Sequence, residues 1–376
     1  MCVYILSSAG MPTAPSAFAR ATTAIPRARF TRNRTRLPNM SNRGILRFGI
    51  IGCSSVAKRR FLPALQKSAT ARLERIGSRS PARAAEYAAA FSCAKAGSYQ
   101  AVLDDPDVDA VYVSIPVSLH EFWLREAAKR KKHILCEKPA FSSLPTALQI
   151  MRDCREQGVR LMEGYMFRYH PQHALVRNLV RDNAIGRPRF FTGEYAVPRP
   201  APEDIRFKPE LGGGVFLDAA GYLPAAAALQ IEAQPLSVLC QKVMDAATWV
   251  DEAVAMMVEF ADGKIGHYRA AYGLQYRARY SLHGTLGRIE VERAFAINSD
   301  VEGSVVLETN SGVKRLTTEP ADQFLLMIDD FVQQLGRRAE GTESFENIMV
   351  RQHTFMEAAR RSIAEQRCVS LTELAV

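Results

Sequence analysis

Short apolar segments alternate with helix-like segments between Leu46 and Glu163, and this alternation restricts the chain to a small set of folds. Strands separated by helices of about 10–15 residues are typical of a parallel sheet with helices on both faces. The predicted strands are Arg47–Gly52, Ala71–Gly77, Asp109–Ser114, His133–Cys136 and Val159–Glu163. We therefore predict an N-terminal α/β domain whose ligands bind where the strands end.

The pattern changes after Gly186, where strand-like segments follow one another with tight turns such as Ala261–Gly263 between them. Consecutive strands joined by short turns indicate antiparallel pairing. The predicted strands are Arg189–Tyr195, Leu236–Val243, Ala253–Phe260, Ile265–Tyr272, Arg277–His283 and Arg288–Val291. Helices are predicted at Asp322–Leu335 and Phe345–Glu365. The sequence thus predicts a second, α+β domain with an open, mostly antiparallel sheet at residues 166–376.

The net charge of +10 belongs mainly to one end of the chain. Residues 1–47 contain eight arginines and no acidic residue, which leaves +2 for residues 48–376. A folded surface that follows a phosphate backbone is therefore not expected, and we predict no nucleic-acid partner. Residues 1–40 are rich in Ser, Thr, Pro, Ala and Arg. We interpret them as a disordered extension or an organellar targeting segment, with Met40 as an alternative start.

Neither a membrane segment nor a metal site is indicated by the sequence. No stretch reaches the roughly 18 apolar residues that a membrane helix needs. The seven cysteines are scattered without a C-x-x-C pair, which is typical of reduced cytoplasmic thiols. His170 and His173 are three residues apart, and we interpret them as substrate-facing or helix-capping residues rather than zinc ligands. We predict a soluble, cytoplasmic protein without a metal.

The first predicted strand leads into the segment FGIIGCSSVAK, Phe48–Lys58. Its Gly52, Ser54 and Ala57 occupy the small-residue positions of the dinucleotide fingerprint G-x-G-x-x-G/A. Serine replaces the glycine that lets the backbone approach the pyrophosphate, so a plain strand–helix turn is the alternative. Because the motif opens a βα array, we predict a Rossmann dinucleotide-binding domain at residues 41–165. The candidate cofactor residues of this segment are Gly49, Gly52, Ser54, Ser55 and Ala57.

The end of the second predicted strand bears on the choice of cofactor. Enzymes that use NAD place Asp or Glu there to bind the ribose 2′-hydroxyl, whereas this chain has Ser78, Arg79 and Ser80. A guanidinium beside two hydroxyls suits a 2′-phosphate, because its N–H groups pair with phosphate oxygens. An ordinary solvated arginine is the alternative. We predict that Ser78 and Arg79 favour NADP(H), with NAD(H) possible.

The segment CEKP, Cys136–Pro139, directly follows a predicted strand and therefore lies at the carboxyl edge of the sheet. A Glu–Lys pair at a strand end is often only a surface pair. Here Pro139 disfavours helical geometry at the preceding residue and so orients the side chain of Lys138. We interpret Lys138 as a functional residue.

Four segments occur in order: FGIIGCSSVA, SIPVSLH (Ser114–His120), CEKPA and LGGGVFLDAAGYLP (Leu211–Pro224). Together they resemble the glucose-fructose oxidoreductase / inositol dehydrogenase (Gfo/Idh/MocA) family, from about Leu46 to the C-terminus. The segments that look closest to the nucleotide-sugar 3-ketoreductases of that family are FRYHPQH (Phe167–His173), DIRFKPELGGG (Asp204–Gly214) and VERAF (Val291–Phe295). The resemblance implies an NAD(P)H-dependent oxidoreductase that transfers a hydride to or from a keto or hydroxyl carbon of a sugar or nucleotide-sugar.

The resemblance also implies roles for individual residues. Glu137 would hold the nicotinamide ribose, and Pro116 and His120 would flank the cofactor. Lys138 would be the catalytic lysine, and Asp218 and Tyr222 would face the substrate. Tyrosine stands at 222 where many members have histidine, and the proline of the family's GVYPL segment is displaced by one place. The candidate substrate-binding residues are Arg168, His170, Asp218 and Tyr222.

Reduction of a ketone needs a proton for the developing alkoxide as well as a hydride. A lysine ammonium near Tyr222 would favour the phenolate and lower the pKa of the tyrosine towards neutrality. Two alternatives stay open: a dehydrogenase for a non-carbohydrate such as a dihydrodiol, and a non-catalytic dinucleotide-sensing regulator of the same fold. The open sheet face favours a homodimer or homotetramer.

Overall fold

A computed structural model describes residues 44–336 and 343–374, and the predicted N-terminal segment, residues 1–40, lies outside them. The first sheet is parallel throughout, with the strand order β3-β2-β1-β4-β5-β6. Its strands are β1 (Leu46–Ile51), β2 (Ala71–Gly77), β3 (Ala96–Gly97), β4 (Ala110–Val113), β5 (His133–Glu137) and β6 (Leu161–Gly164). The prediction of an N-terminal Rossmann fold is confirmed.

Helices cover both faces of this sheet, as its buried strands require. They are α1 (Leu62–Lys67, preceded by a wider π-helical turn at Ala57–Phe61), α2 (Pro81–Ala90), α3 (Tyr99–Asp104), α4 (His120–Lys129) and α5 (Leu144–Glu156). Serines open several of them: Ser80 accepts a hydrogen bond from the backbone N–H of Arg83, and Pro81 takes the first helical position. The order of the strands reverses between β1 and β4, which leaves a crevice at their carboxyl ends.

The second sheet has nine strands in the order β14-β13-β12-β11-β7-β10-β9-β8-β15. They are β7 (Pro188–Val197), β8 (Pro235–Met244), β9 (Asp251–Phe260), β10 (Ile265–Tyr272), β11 (Arg277–Gly284), β12 (Gly287–Val291), β13 (Gly303–Thr309), β14 (Gly312–Thr318) and β15 (Val369–Ser370). Every pairing is antiparallel except the one between β7 and β10. The predicted mostly antiparallel sheet is confirmed, although the hairpin β13–β14 was not predicted.

One face of the second sheet is packed and the other is exposed. Residues alternate strictly along β9, where Val254, Met256 and Val258 are buried and Met257 is half exposed. The packed face lies against the helices α6 (Pro171–Arg181), α7 (Tyr222–Gln230) and α9 (Phe345–Glu365). The sheet therefore separates a core that supports the site from an open outer surface.

The last two helices connect the two sheets. Helix α8 (Gln323–Gly336) packs Phe324 and Phe331 into the core of the first sheet. Helix α9 contacts β6 of the first sheet and β8 of the second. The division of the chain at residues 165 and 166 stays a prediction. None of the helices in residues 44–336 and 343–374 combines the length and apolarity needed to cross a bilayer.

Candidate active site

A cleft of about 1050 Å³ opens at the carboxyl edge of the first sheet, and β7 of the second sheet contributes to its wall. It lies at the crevice between β1 and β4, where doubly wound sheets bind their ligands. The predicted site residues that line it are Gly52, Ser54, Ser78, Arg79, Pro116, Glu137, Lys138, Asp218 and Tyr222. Segments far apart in the sequence therefore meet in one place.

The dinucleotide loop has the backbone geometry that its small residues allow. Gly52 has φ +109°, and a Cβ there would lie 2.6 Å from the carbonyl oxygen of Ser114. Only glycine fits this position without displacing β4. The Oγ of Ser54 accepts a hydrogen bond from the backbone N–H of Ala57 (3.1 Å) and so caps the first helix. Its own hydroxyl proton stays available to a phosphate oxygen.

Three candidate cofactor residues of this segment, Gly49, Ser55 and Ala57, are not part of the cleft lining. Gly49 lies inside β1, where a Cβ would be 2.4 Å from a methyl group of Val102, so this glycine serves packing. Ala57 is fully buried between helix and sheet. Ser55 is exposed, and its carbonyl oxygen accepts a hydrogen bond from Arg59. The predictions for Gly49 and Ala57 are corrected, because the motif mixes residues that touch the ligand with residues that only let the backbone pack. The cofactor contact of Ser55 stays a prediction.

His120 lies behind the cleft rather than beside the cofactor position. Its ring nitrogens face two backbone carbonyl oxygens, Nε2 at 2.9 Å from Ile115 and Nδ1 at 3.1 Å from Ala140. Burial lowers its pKa, and a neutral ring donates to one carbonyl at a time. His120 therefore joins the backbone near Pro116 to the backbone that follows Lys138, and its predicted role is corrected from contact to support.

The predicted 2′-phosphate site contains a further arginine. Arg79 and Arg83 both line the cleft beside Ser78. Arg83 donates from Nε to the carbonyl oxygen of Cys53 (3.1 Å), which holds its guanidinium at the mouth of the loop. The nearby carboxylate of Glu86 pairs with Lys58 instead (2.8 Å). The sequence analysis did not predict Arg83 as a cofactor residue. Its position in the first turn of the helix that begins with Ser80 and Pro81, next to the second strand end, could have indicated it.

Lys138 is fixed by a residue from the second domain. Its Nζ donates to the carbonyl oxygen (2.5 Å) and to Oδ1 (3.0 Å) of Asp218. The other carboxylate oxygen of Asp218 accepts from Arg206 Nε (2.7 Å) and from the Tyr272 hydroxyl (3.1 Å). Burial alone would raise the pKa of Asp218, but Lys138 and Arg206 hold it well below its usual range. Asp218 is therefore ionised, and one N–H of the Lys138 ammonium is left for a ligand.

Tyr222 is nearly inaccessible, and its ring packs among Tyr165, Phe167, Tyr195 and Phe295. The ammonium of Lys138 lies 5.0 Å from the ring centroid, and the Tyr222 hydroxyl is 3.9 Å from the sulfur of Met166. Burial raises its pKa well above the usual value, and the negative charges of Glu137 and Asp218 raise it further. The predicted lowering of the Tyr222 pKa is wrong, because desolvation and the two carboxylates outweigh the nearby positive charge, to which Arg206 contributes.

Glu137 is positioned from behind by Tyr112, whose hydroxyl donates to Oε1 (2.5 Å). Burial raises the pKa of Glu137, while this hydrogen bond and the charge of Lys138 lower it. Because Tyr112 stacks on Phe61 with a centroid distance of 3.6 Å, the carboxylate is held by rigid aromatic packing. Glu137 lines the cleft, and its contact with a ribose stays a prediction.

Two predicted substrate ligands lie away from the cleft. His170 caps α6, its Nδ1 accepting from the backbone N–H of Gln172 (3.3 Å), and burial lowers its pKa to about 4. Of the two interpretations of His170, the helix cap is the one that the geometry supports. Arg168 is half-buried outside the cleft lining, and burial together with the charge of Arg351 in α9 lowers its pKa. Both predictions are corrected, because the turn at Met166–Tyr169 directs Met166 rather than its successors to the cleft.

A dinucleotide loop that faces an ammonium, a carboxylate and a phenol across one cleft defines a dinucleotide-dependent oxidoreductase. The chain belongs to the GFO/IDH/MocA family. Residues 46–165 match the oxidoreductase family with an NAD-binding Rossmann fold, and residues 173–290 match the GFO/IDH/MocA C-terminal domain.

Relatives and solved structures extend this similarity over most of the chain. A dTDP-3,4-didehydro-2,6-dideoxy-alpha-D-glucose 3-reductase of Saccharopolyspora spinosa is 34% identical, covering 77% of this chain and 87% of the relative. A 3-ketoreductase from Actinomadura kijaniata, solved in complex with NADP and TDP-benzene, has a TM-score of 0.81 at 30% identity over 85% of this chain and 98% of that chain. An aldose-aldose oxidoreductase from Caulobacter crescentus has a TM-score of 0.78 at 25% identity, over 87% and 99% of the two chains.

The charge of Asp218 generates a prediction about stability. Replacing Asp218 by Asn leaves Lys138 and Arg206 without their shared counter-charge, so Asp218→Asn should lower the Tm at pH 7 by several degrees. A carboxylate with a lowered pKa stabilises the fold above its unfolded pKa of about 3.9 and loses this effect as the pH falls further. The Tm difference from the wild type should therefore shrink below about pH 4.

Thermal unfolding between pH 3 and 7 checks this prediction. Asp204→Asn is the matched control, since Asp204 contacts Arg206 but not Lys138. It should change the Tm by much less than Asp218→Asn. A Tm difference for Asp218→Asn that stays constant across the whole range would contradict the assignment of the charge.

Proposed function

We propose that this oxidoreductase reduces the ketone of a nucleotide-linked keto sugar. In this reaction Lys138 would polarise the ketone, and Tyr222 would donate the proton. The observation that carries the proposal is the contact of Lys138 Nζ with Asp218, at 3.0 Å to Oδ1, in the cleft that the dinucleotide loop lines. This contact joins the cofactor domain to the second domain at the point where a substrate would meet the nicotinamide.

The cofactor is NADP(H), as the solved relative with NADP and an NADP(+)-dependent xylose dehydrogenase of similar sequence also indicate. The residues that fit its phosphates are those of the loop and of the second strand end. Ser78 is buried and neutral, and Arg79 and Arg83 provide two cations where a carboxylate would repel a 2′-phosphate. When bound, the nicotinamide supplies or accepts the hydride.

Lys138 has the geometry to polarise a carbonyl. Two of its three N–H groups are used by Asp218, and the remaining one can donate to the ketone oxygen of the substrate. Because Asp218 is itself held by Arg206 and Tyr272, the ammonium does not need to reorganise when negative charge develops on that oxygen.

Tyr222 has the properties of a proton donor for reduction. Its raised pKa keeps the phenol protonated at neutral pH, and its hydroxyl has only a weak partner in the Met166 sulfur. A protonated phenol can transfer its proton to the alkoxide oxygen as that oxygen forms. The same raised pKa makes the phenolate scarce, so removal of a proton from an alcohol should become efficient only at alkaline pH.

Two more arginines favour a substrate that carries phosphate. Arg59 and Arg60 line the cleft beyond the dinucleotide loop. Their recorded partners are neutral: Arg59 donates to the carbonyl oxygen of Ser55, and Arg60 donates to Oδ1 of Asn298 (2.6 Å). These contacts leave both charges available to the diphosphate of a nucleotide-sugar. A free sugar would make no use of them.

The first prediction of this proposal concerns the cofactor. Removing the guanidinium of Arg79 loses a charged hydrogen bond, so Arg79→Ala should weaken NADPH binding by about 1–3 kcal/mol and leave NADH nearly unchanged. Fluorescence titration with both cofactors measures the change. Arg72→Ala is the matched control, because Arg72 is exposed on β2, the strand that leads to Arg79, and pairs with Glu74 outside the cleft lining. Equal affinities of the wild type for NADPH and NADH would contradict the preference.

The second prediction concerns turnover. Lys138→Met should abolish reduction while the Kd for NADPH stays within about threefold, and Tyr222→Phe should reduce kcat by roughly 10²-fold or more. A panel of dTDP-sugars, UDP-sugars and free sugars, followed by NADPH absorbance, tests the activity itself. Tyr280→Phe is the control, since its hydroxyl is buried against His173 and Gln230. Full activity of Tyr222→Phe would exclude Tyr222 as the proton donor.

A third prediction concerns assembly. The open face of the second sheet exposes Phe190 and Met257, and Phe190 stacks on His267 (centroid distance 6.2 Å). We propose that this face joins two or more copies into a homodimer or homotetramer. Light scattering should give a multiple of 41.7 kDa for the wild type. Met257→Lys should shift the mass towards the monomer, and a monomeric wild type would contradict the proposal.

A further inference from the structure

Two neighbouring side chains of α9, Gln352 and His353, contact the site from the side opposite the cleft. Both are buried, with 7% and 4% of their surface exposed. They belong to the last long helix, which begins more than 200 positions after Lys138 and contains no cleft-lining residue among those described. Buried polar side chains are unfavourable unless they are hydrogen-bonded, so their partners identify what they do.

His353 supports the segment that carries Lys138. Its Nε2 donates to Oε1 of Glu163 at the end of β6 (3.2 Å). The same carboxylate oxygen accepts the backbone N–H of Ala140 (2.8 Å), two residues after Lys138. The imidazole ring also packs edge-on against Phe141, with a centroid distance of 5.1 Å. The position of the Lys138 turn therefore depends on a buried His–Glu–backbone chain.

Gln352 supports the segment that carries Asp218 and Tyr222. Its Nε2 donates to the carbonyl oxygen of Gly221 (2.8 Å) and to the hydroxyl of Tyr165 (3.3 Å). Gly221 stands between the turn that contains Asp218 and the first residue of α7, Tyr222. A Cβ at Gly221 would lie 2.2 Å from the Tyr165 hydroxyl oxygen, so this backbone is in direct contact with its support.

From these contacts we infer that Glu163, Gln352 and His353 form a positioning brace that fixes Lys138 relative to Asp218 and Tyr222. One segment follows β5 of the first sheet, and the other leads into α7, which packs against the second sheet. Helix α9 contributes one polar side chain to the support of each segment. The kinetic consequence of this inference rests on the proposed function. Its structural consequence, that the Lys138 ammonium is held against Asp218, is independent of the proposed function. None of the three residues lines the cleft, so they act through Lys138 and Tyr222.

The first experiment measures the brace without any substrate. His353→Phe keeps the ring that packs on Phe141 but removes the donor, and His353→Gln restores an N–H donor. Acetylation by an N-hydroxysuccinimide ester, followed by peptide mass spectrometry, gives the modification rate of Lys138. Lys132 is the internal reference, because its ammonium donates to the carbonyl oxygens of Asp105 and Val108 and has no contact with the brace.

We expect the Lys138 rate, relative to that of Lys132, to rise at least threefold in His353→Phe and to return near the wild-type value in His353→Gln. Gln352→Met tests the support of the other segment, since it keeps the volume of the side chain and removes both hydrogen bonds. It should also raise the Lys138 rate. If either His353→Phe or Gln352→Met fails to fold, the other still gives the measurement. A Lys138 rate that is unchanged in the variants that fold would overturn the inference.

The second experiment separates positioning from a loss of folded protein. With a dTDP-linked keto sugar, His353→Phe should lower kcat by 10-fold or more while the KM for NADPH stays within twofold. The isotope effect on kcat with C4-deuterated NADPH should increase, because the chemical step becomes slower relative to product release. A variant with fewer folded molecules would show a lower kcat and an unchanged isotope effect, which would count against the brace.

The two proposals can fail separately. If no keto sugar is reduced but the Lys138 modification rate rises in both His353→Phe and Gln352→Met, the proposed function is wrong and the brace stands. If a keto sugar is reduced and both variants retain the wild-type kcat and modification rate, the proposed function stands and the brace is wrong.

Discussion

The ammonium of Lys138 lies between two segments that no local rule of sequence brings together, the end of β5 in the first sheet and the turn before α7 in the second domain. Its contacts with Asp218 connect the two domains at the floor of the cleft. Arg206 and Tyr272 hydrogen-bond to the other oxygen of the same carboxylate. Asp218 therefore balances the charge of Lys138 and leaves one N–H of the ammonium for a ligand. A lysine in this setting can donate to a carbonyl oxygen from a fixed position, which is the requirement for stabilising a developing negative charge.

Electrostatics divide the cleft into regions with different tasks. Around Lys138 the positive groups are paired with Asp218, and burial together with the negative charges of Glu137 and Asp218 keeps Tyr222 protonated in its aromatic environment. Along the dinucleotide loop and the end of β2, arginines face the cleft with neutral partners, which suits phosphate groups. Preorganised hydrogen bonds thus position the reacting groups, whereas positive charge without a negative partner attracts the phosphates.

Several misassignments of the sequence analysis have one cause. Gly49, Ala57 and His120 belong to motifs that border the cleft, yet each supports backbone packing instead of touching a ligand. A motif records every residue type that a local structure needs, and it does not separate contact from support. The prediction of a lowered Tyr222 pKa failed for a related reason. The sequence indicated the neighbouring ammonium, whereas the burial of the ring and the carboxylates near it are visible only in three dimensions.

Local sequence patterns were enough to predict the parallel and the mostly antiparallel sheet, the dinucleotide loop at Gly52, the arginine after the second strand and the strand-end lysine. These features depend on local patterns: alternating apolar segments, glycine at a positive φ, and side chains that follow a strand directly. Three relations were visible only in three dimensions. Asp218 joins Arg206 to Lys138, Arg168 and His170 lie outside the cleft lining, and Gln352 and His353 support the site from behind. Those relations depend on how the second sheet and α9 pack against the first sheet, and contacts between residues so far apart in the chain leave no periodic signal in a single sequence.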